Sequence, residues 1–152
     1  MENDIEKLKF PIGKYKAILE FNFSRTIEDI KTLESFANNL RASVKGLDKT
    51  DFKKSYRKGG MNIAQIIHHY CDTHTYAFLR TKHTLLEDNP SVKMYEVSEF
   101  LTTPESNVLD VEDSLKVIEG IHAKWVSLLK TLSEDDFNKT YYHSARDKNI
   151  IL

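Results

Sequence analysis

Three stretches of this sequence carry apolar residues at steps of three and four, and that spacing restricts the chain to a helical bundle. In the first, Ile27, Ile30, Leu33, Ala37, Leu40 and Val44 follow one face. Ser24 or Thr26 is expected to cap it, Glu28 and Asp29 suit its first turn, and Gly46 ends it. The second is expected from Met61 or Asn62 to about Leu86, with Ile63, Ile66, Ile67, Tyr70, His74, Ala77 and Phe78 on one side and Asn89-Pro90 as its stop. Asp110 is expected to cap the third, which carries Leu115, Ile118, His122, Trp125, Leu129 and Leu132. No segment alternates with period two for long enough to predict a sheet, so the expected class is all-α. The first 23 residues, with Phe10-Pro11-Ile12-Gly13, Phe21 and Phe23, read as an irregular arm packed outside the body. Residues 90 to 109 read as a long loop with one helical turn near Val97 to Leu101, and loops of that length are often functional.

A repeat supports a bundle with four helices. Leu47 to Tyr56 (LDKTDFKKSY) aligns with Leu132 to Tyr141 (LSEDDFNKTY), 85 positions on. Each copy follows a helix and looks like a short capped turn, Ser133 and Asp136 having capping-box spacing. The first copy leads through Gly59-Gly60 into the second helix, so by the same logic a fourth helix is expected after about residue 150, either missing from the 152 residues or supplied by another subunit. Chance similarity over ten residues is the alternative. Three amphipathic helices leave an apolar flank uncovered, which predicts self-association, a homodimer being the simplest form.

At 152 residues the sequence suits a single domain. A net charge of −1 supplies no general attraction to nucleic acid or anionic membrane. No apolar run reaches the roughly 18 residues needed to span a bilayer, and the acidic opening is unlike a secretory signal. One cysteine, Cys71, excludes an intrachain disulfide, and the expected location is cytoplasmic.

Six histidines are the chemically notable residues, and no two on the second helix have the i, i+4 spacing of a helical metal site. His69 shares a face with Thr73 and Arg80. His68 and Asp72 are expected on the solvated side, opposite the core. His74 and His122 both fall on core-facing positions, as hydrogen-bonded core residues that can meet across the bundle. Cys71 has no CxxC partner and reads as an inert, buried thiol. No Ser-His-Asp arrangement or phosphate-binding glycine loop stands out, and no catalytic residue is identifiable.

Several stretches together resemble one family. Phe10-Pro11-Ile12-Gly13-Lys14-Tyr15 looks like the PIGxY opening of the DinB/YfiT-like proteins. Tyr56-Arg57-Lys58-Gly59-Gly60-Met61-Asn62-Ile63, with Gln65-Ile66-Ile67-His68-His69 after it, is similar to their YRxGGWTV…QVVHH. Asp72-Thr73-His74, Tyr76, Arg80 and Lys82 continue the match, His122 with Trp125 and Leu128-Leu129 resembles HxxWxxLL, and Tyr142-His143 resembles YHP with Ser144 at the proline. The resemblance implies an up-down four-helix bundle in which three histidines hold a divalent metal, zinc or nickel. One ligand comes from the second helix, and counting from Met61 at the motif's Trp position puts it at His69. The other two form an HxxxH on the fourth helix, which has no counterpart here, so the metal is expected only if those ligands are supplied. The implied activity is transfer of a low-molecular-weight thiol, bacillithiol, onto small electrophiles, or a related metal-dependent hydrolysis. On that reading the metal lowers the pKa of the thiol, Arg80 binds one of its carboxylates and His143 lines the pocket. The alternative is a metal-free helical module that binds or dimerises without catalysis.

Overall fold

The computed structural model describes residues 2–14, 21–93 and 96–152, so Tyr15 of the amino-terminal motif lies outside the described residues. Residues Glu2–Lys9 form a helix (α1) rather than an irregular arm. It stays lightly seated, with Ile5 and Leu8 nearly half exposed and Ile12 beyond it fully exposed. Helix α2 is Phe23–Val44, and its cap is Asn22, not Ser24 or Thr26: the Asn22 side chain accepts the Arg25 N–H at 2.9 Å. Gly46, at φ +85, ends it in the left-handed region where a side chain would be strained. Helix α3 (Lys49–Phe52) is the first copy of the repeat. Helix α4, Ile63–Leu86, starts at a capping box in which Asn62 and Gln65 each accept the other's backbone N–H. Helix α5 (Val97–Phe100) is the helical turn expected in the long loop, and a 3₁₀ turn follows at Glu105–Asn107. Helix α6, Glu112–Leu129, begins two residues after Asp110, whose carboxylate accepts the Glu112 N–H at 3.0 Å. Helix α7 (Glu134–Phe137) is the second repeat copy.

The repeat is structural. Asp48 and Ser133 are the N-caps of α3 and α7, and each closes a capping box with an aspartate three residues on, Asp51 and Asp136. After α3 a single antiparallel bridge, Ser55 to Asn62, leads into α4. After α7 the corresponding stretch widens into strands, contrary to the expectation of no sheet. Strand β2 (Thr140–His143) pairs antiparallel with β3 (Lys148–Ile151) and parallel with a two-residue strand β1 (Ser91–Val92), in the order β1-β2-β3. Asp147, at φ 48, makes the tight turn, and its carboxylate accepts the Tyr142 hydroxyl.

Helix α6 is the centre of the packing, with α2 on one side and α4 on the other. The apolar core has two parts. One cluster joins Ile30, Val126, Leu129 and Phe137, with Phe23 and Trp125 packed against it. The other joins Ala64, Ile67, Val111 and Leu115. Ile67 and Ile118 are 1% exposed, and each such side chain contributes about 1.5–3 kcal/mol by burial. Between the two clusters, at the middle of all three long helices, the layer is made of Phe36, His74 and His122. Arg41 of α2 bridges to Glu112 and Glu119 of α6 and fixes the rotation of one helix against the other. Among the described residues no helix is long and apolar enough to cross a membrane.

Candidate functional site

Helix α4 carries chemistry on three sides. Toward α6, His68 corrects the sequence reading: it is 7% exposed, not solvated. Its Nδ1 lies 2.8 Å from Ser114 Oγ and its Nε2 3.1 Å from the Val108 carbonyl. The phase of one helix places a residue relative to its own stripe, but it cannot tell how wide an arc the neighbouring elements cover. Here α6 and the segment before it cover that arc. Asp72, expected beside it in solvent, is partly buried, and burial with the nearby Glu105 charge raises its pKa. Cys71 is partly buried, and burial pushes its thiol pKa up, consistent with an inert thiol.

On the side toward α2 and α6, His74 and His122 meet. His74 Nδ1 lies 2.5 Å from His122 Nε2, and His122 Nδ1 lies 2.8 Å from the Leu33 carbonyl of α2. The two rings stack at 4.8 Å, with Phe36 against both. Burial, then the charges His122 and His69 would carry, pull the His74 pKa down to about 4. Burial also lowers that of His122. Both rings are neutral at pH 7.

The third side carries His69, Thr73 and Arg80. Residues 69 and 80 are eleven apart, about 16 Å along the axis and within about 20° of each other around it. His69 is partly buried, burial lowers its pKa against the opposing charge of Asp72, and its Nδ1 lies 3.4 Å from Thr73 Oγ1. A neutral imidazole has a lone pair to offer a metal. Three turns on, the Arg80 guanidinium stands 5.1 Å over the Tyr141 ring of β2. His143, two residues further along β2, is 7% exposed, and its Nδ1 is buried with no hydrogen-bond partner among the described residues. Burial lowers its pKa first, and the positive charges of Arg146, Arg80 and Lys148 lower it further.

Those three cations also line a groove of about 630 Å³ between α2, α6 and the β2–β3 hairpin, with Trp125 and Tyr141 among its walls. None of Arg80, Arg146 and Lys148 has an ion-pair partner among the described residues. Among the described residues lining the groove, the acidic side chain is Asp29, which faces Arg25 of its own helix at 3.9 Å. Clustered cations repel one another unless an anion offsets them, so the groove is suited to an anionic ligand. The structure thus brings Arg80 near His143 and places His69 on the same helix face as Arg80 but three turns away. Arg146, Lys148 and Tyr141 escaped the sequence reading. Their signal was the Arg-Asp-Lys turn of a hairpin that had not been expected.

The divalent metal implied by the resemblance finds an incomplete donor set. Among the described residues no three of His, Cys, Asp and Glu converge where an ion could be held. His69 is a single candidate donor, and His74 and His122 spend their nitrogens largely on each other and on Leu33. The described residues alone do not fit a bound metal.

Comparison with known proteins agrees with this architecture. A family model described as DinB superfamily matches residues 32–150. A protein of Geobacillus thermodenitrificans, provisionally named a metal-dependent hydrolase, is 38% identical over 135 residues, 89% of this chain and 76% of that protein. A Bacillus cereus protein with the same kind of name is 34% identical over 142 residues, covering 90% of this chain and 78% of its own length. Among solved structures, YfiT from Bacillus subtilis, described as a probable metal-dependent hydrolase with an unusual four-helix bundle topology, superposes with a TM-score of 0.92 at 28% identity, covering 96% of this chain and 83% of that one. With three packed helices, the paired capped turns and these matches over most of its length, this chain belongs to the DinB superfamily.

Proposed function

We propose that this protein is a metal-dependent enzyme that moves a low-molecular-weight thiol of the bacillithiol kind onto small electrophiles, with His69 as one metal ligand and Arg80 and His143 on the thiol's side. The observation that carries this reading is the set of cations without an ion-pair partner among the described residues, Arg80 of α4 with Arg146 and Lys148 of the hairpin, gathered around the buried Nδ1 of His143, while His69 lies on the Arg80 face of α4 three turns away. A carboxylate-bearing thiol complements that charge, and Arg offers two parallel donors to a carboxylate. The remaining metal ligands come from outside the described residues. The hydrolase reading suggested by the names of the relatives uses the same groove with water in place of the thiol.

The test is conjugation of bacillithiol to a chromogenic electrophile, with zinc or nickel supplied and the carboxylate-esterified thiol as control. The expected result is metal-dependent turnover in which Arg80→Ala raises KM for the free thiol about tenfold to a hundredfold, as loss of a charge-assisted pair predicts, and leaves the ester unaffected. No turnover with either metal, or an Arg80→Ala effect equal for acid and ester, contradicts the assignment.

One observation favours a second reading, a metal-free module that binds an anionic ligand and self-associates: no three donors converge among the described residues. That reading expects the thiol to bind with undiminished affinity after exhaustive chelation, without turnover.

A further inference from the structure

The protons of the central histidine pair are dictated by one backbone oxygen. A carbonyl only accepts, so the 2.8 Å bond to Leu33 requires the proton of neutral His122 to sit on Nδ1. The His122 lone pair is then on Nε2, 2.5 Å from His74 Nδ1, so His74 must donate from Nδ1. Its own lone pair is left on Nε2. Phe36, stacked at 5.1 Å on His122 and lying 4.7 Å from His74, and the edge of Trp125 hold both rings in place. Trp125 is itself fixed by donating to Thr81 Oγ1 at 3.1 Å.

A purely structural tie between α2, α4 and α6 would use the donor of each ring and the acceptor of one. It leaves the second acceptor over. His74 Nε2 has no hydrogen-bond partner among the described residues, yet it is not among their sealed, unpaired polar atoms, a condition found only for His143 Nδ1. The His74 side chain is only partly buried. Tyr70 stands between His74 and His69, with ring centres 5.8 Å from the first and 6.4 Å from the second. An acceptor held at a defined position beside Tyr70, the ring that also neighbours the candidate ligand His69, is suited to orient a donor group on a bound molecule.

We propose that His74 Nε2 accepts a hydrogen bond from the reacting S–H or O–H group of the ligand, and that His122 is the positioning residue that keeps this lone pair outward by fixing the Nδ1–H tautomer of His74. The proposal deepens the thiol reading above and rests on it for the ligand's class; the tautomer itself does not depend on that reading.

The test is long-range ¹H–¹⁵N correlation spectroscopy on the whole labelled protein at pH 7.5, which reports which ring nitrogen carries the proton. Both His74 and His122 are expected as Nδ1–H, the opposite of the Nε2–H form that free histidine prefers. His122→Gln can still donate to Leu33 and accept from His74, so the His74 tautomer is expected to persist. His122→Leu can do neither, and His74 should revert to Nε2–H. Bacillithiol should move the His74 Nε2 resonance of the wild-type protein, and its S-methyl thioether, which lacks the donor, should not. An Nε2–H His74 in the wild type, an unchanged tautomer in a folded His122→Leu, or equal responses to thiol and thioether overturns the proposal. Should His122→Leu fail to fold, the wild-type tautomer and the thiol–thioether pair still decide. Failure of zinc to bind would count against the proposed enzyme and would leave the tautomer result standing.

Discussion

Lowering the pH from 7.5 to 5 is predicted to weaken the fold chiefly through the centre of the bundle. In the unfolded chain His74 titrates near 6.5, and in the folded protein its pKa is about 4. A group whose folded pKa is depressed stabilises the fold fully above the unfolded value, and that stability is lost as the pH falls from 6.5 through about 4. The complete loss is about 3 kcal/mol, and roughly 2 kcal/mol of it is reached by pH 5. The carboxylates of Asp51, Asp136 and Glu112 also have lowered pKa values, but from model values of 3.8 to 4.5, so their loss comes at lower pH and leaves the window to the histidines. His122, His69 and His143 shift in the same direction, so a reference variant is needed. His74→Phe keeps a ring against Phe36 and cannot take a proton. Urea unfolding followed by far-UV circular dichroism at both pH values reads the difference. The wild type should lose about 2 kcal/mol more than His74→Phe on going to pH 5. Parallel losses in the two proteins would refute the reasoning.

Three further outcomes follow from the packing. Ile118→Ala, at a side chain 1% exposed, should cost about 2–5 kcal/mol in urea unfolding, and a cost under about 1 kcal/mol would deny it a place in the core. Ser133→Ala removes the cap of α7, and a loss of about 1 kcal/mol is expected, with Ser133→Asp close to neutral. His68→Phe strands the Ser114 hydroxyl and the Val108 carbonyl and should cost about 1–3 kcal/mol; if His68 were solvated, the change would be nearly silent.

The long helices were legible because their stripes run for five or six turns and their stops, Gly46 and Asn89-Pro90, are unambiguous. The repeat disclosed both capped turns, since Asp48 with Asp51 and Ser133 with Asp136 repeat the same local hydrogen-bond logic. The hairpin was hidden: Thr140–His143 does alternate between partly and fully buried, but four residues are too few to distinguish period two from chance. Its partner β1, two residues long, has no pattern of its own. The meeting of His74 and His122 was readable from helical phase alone, because both lie in the apolar stripes of facing helices. His68 was misplaced because burial depends on the neighbours as well as on the helix. His69 has no distinguishing local signal, and its selection rests on the family resemblance. The cationic groove required the hairpin turn to bring Arg146 and Lys148 to Arg80, a contact over more than sixty positions that no local pattern encodes.

The central claim is that His69 belongs to a metal site. Elemental analysis of the protein purified from cells grown with zinc and nickel, compared with His69→Ala prepared identically, tests it most directly. A bound divalent ion is expected in the wild type and its loss from the variant, with the fold intact by circular dichroism. Equal metal content in the two proteins, or none in the wild type, would contradict it.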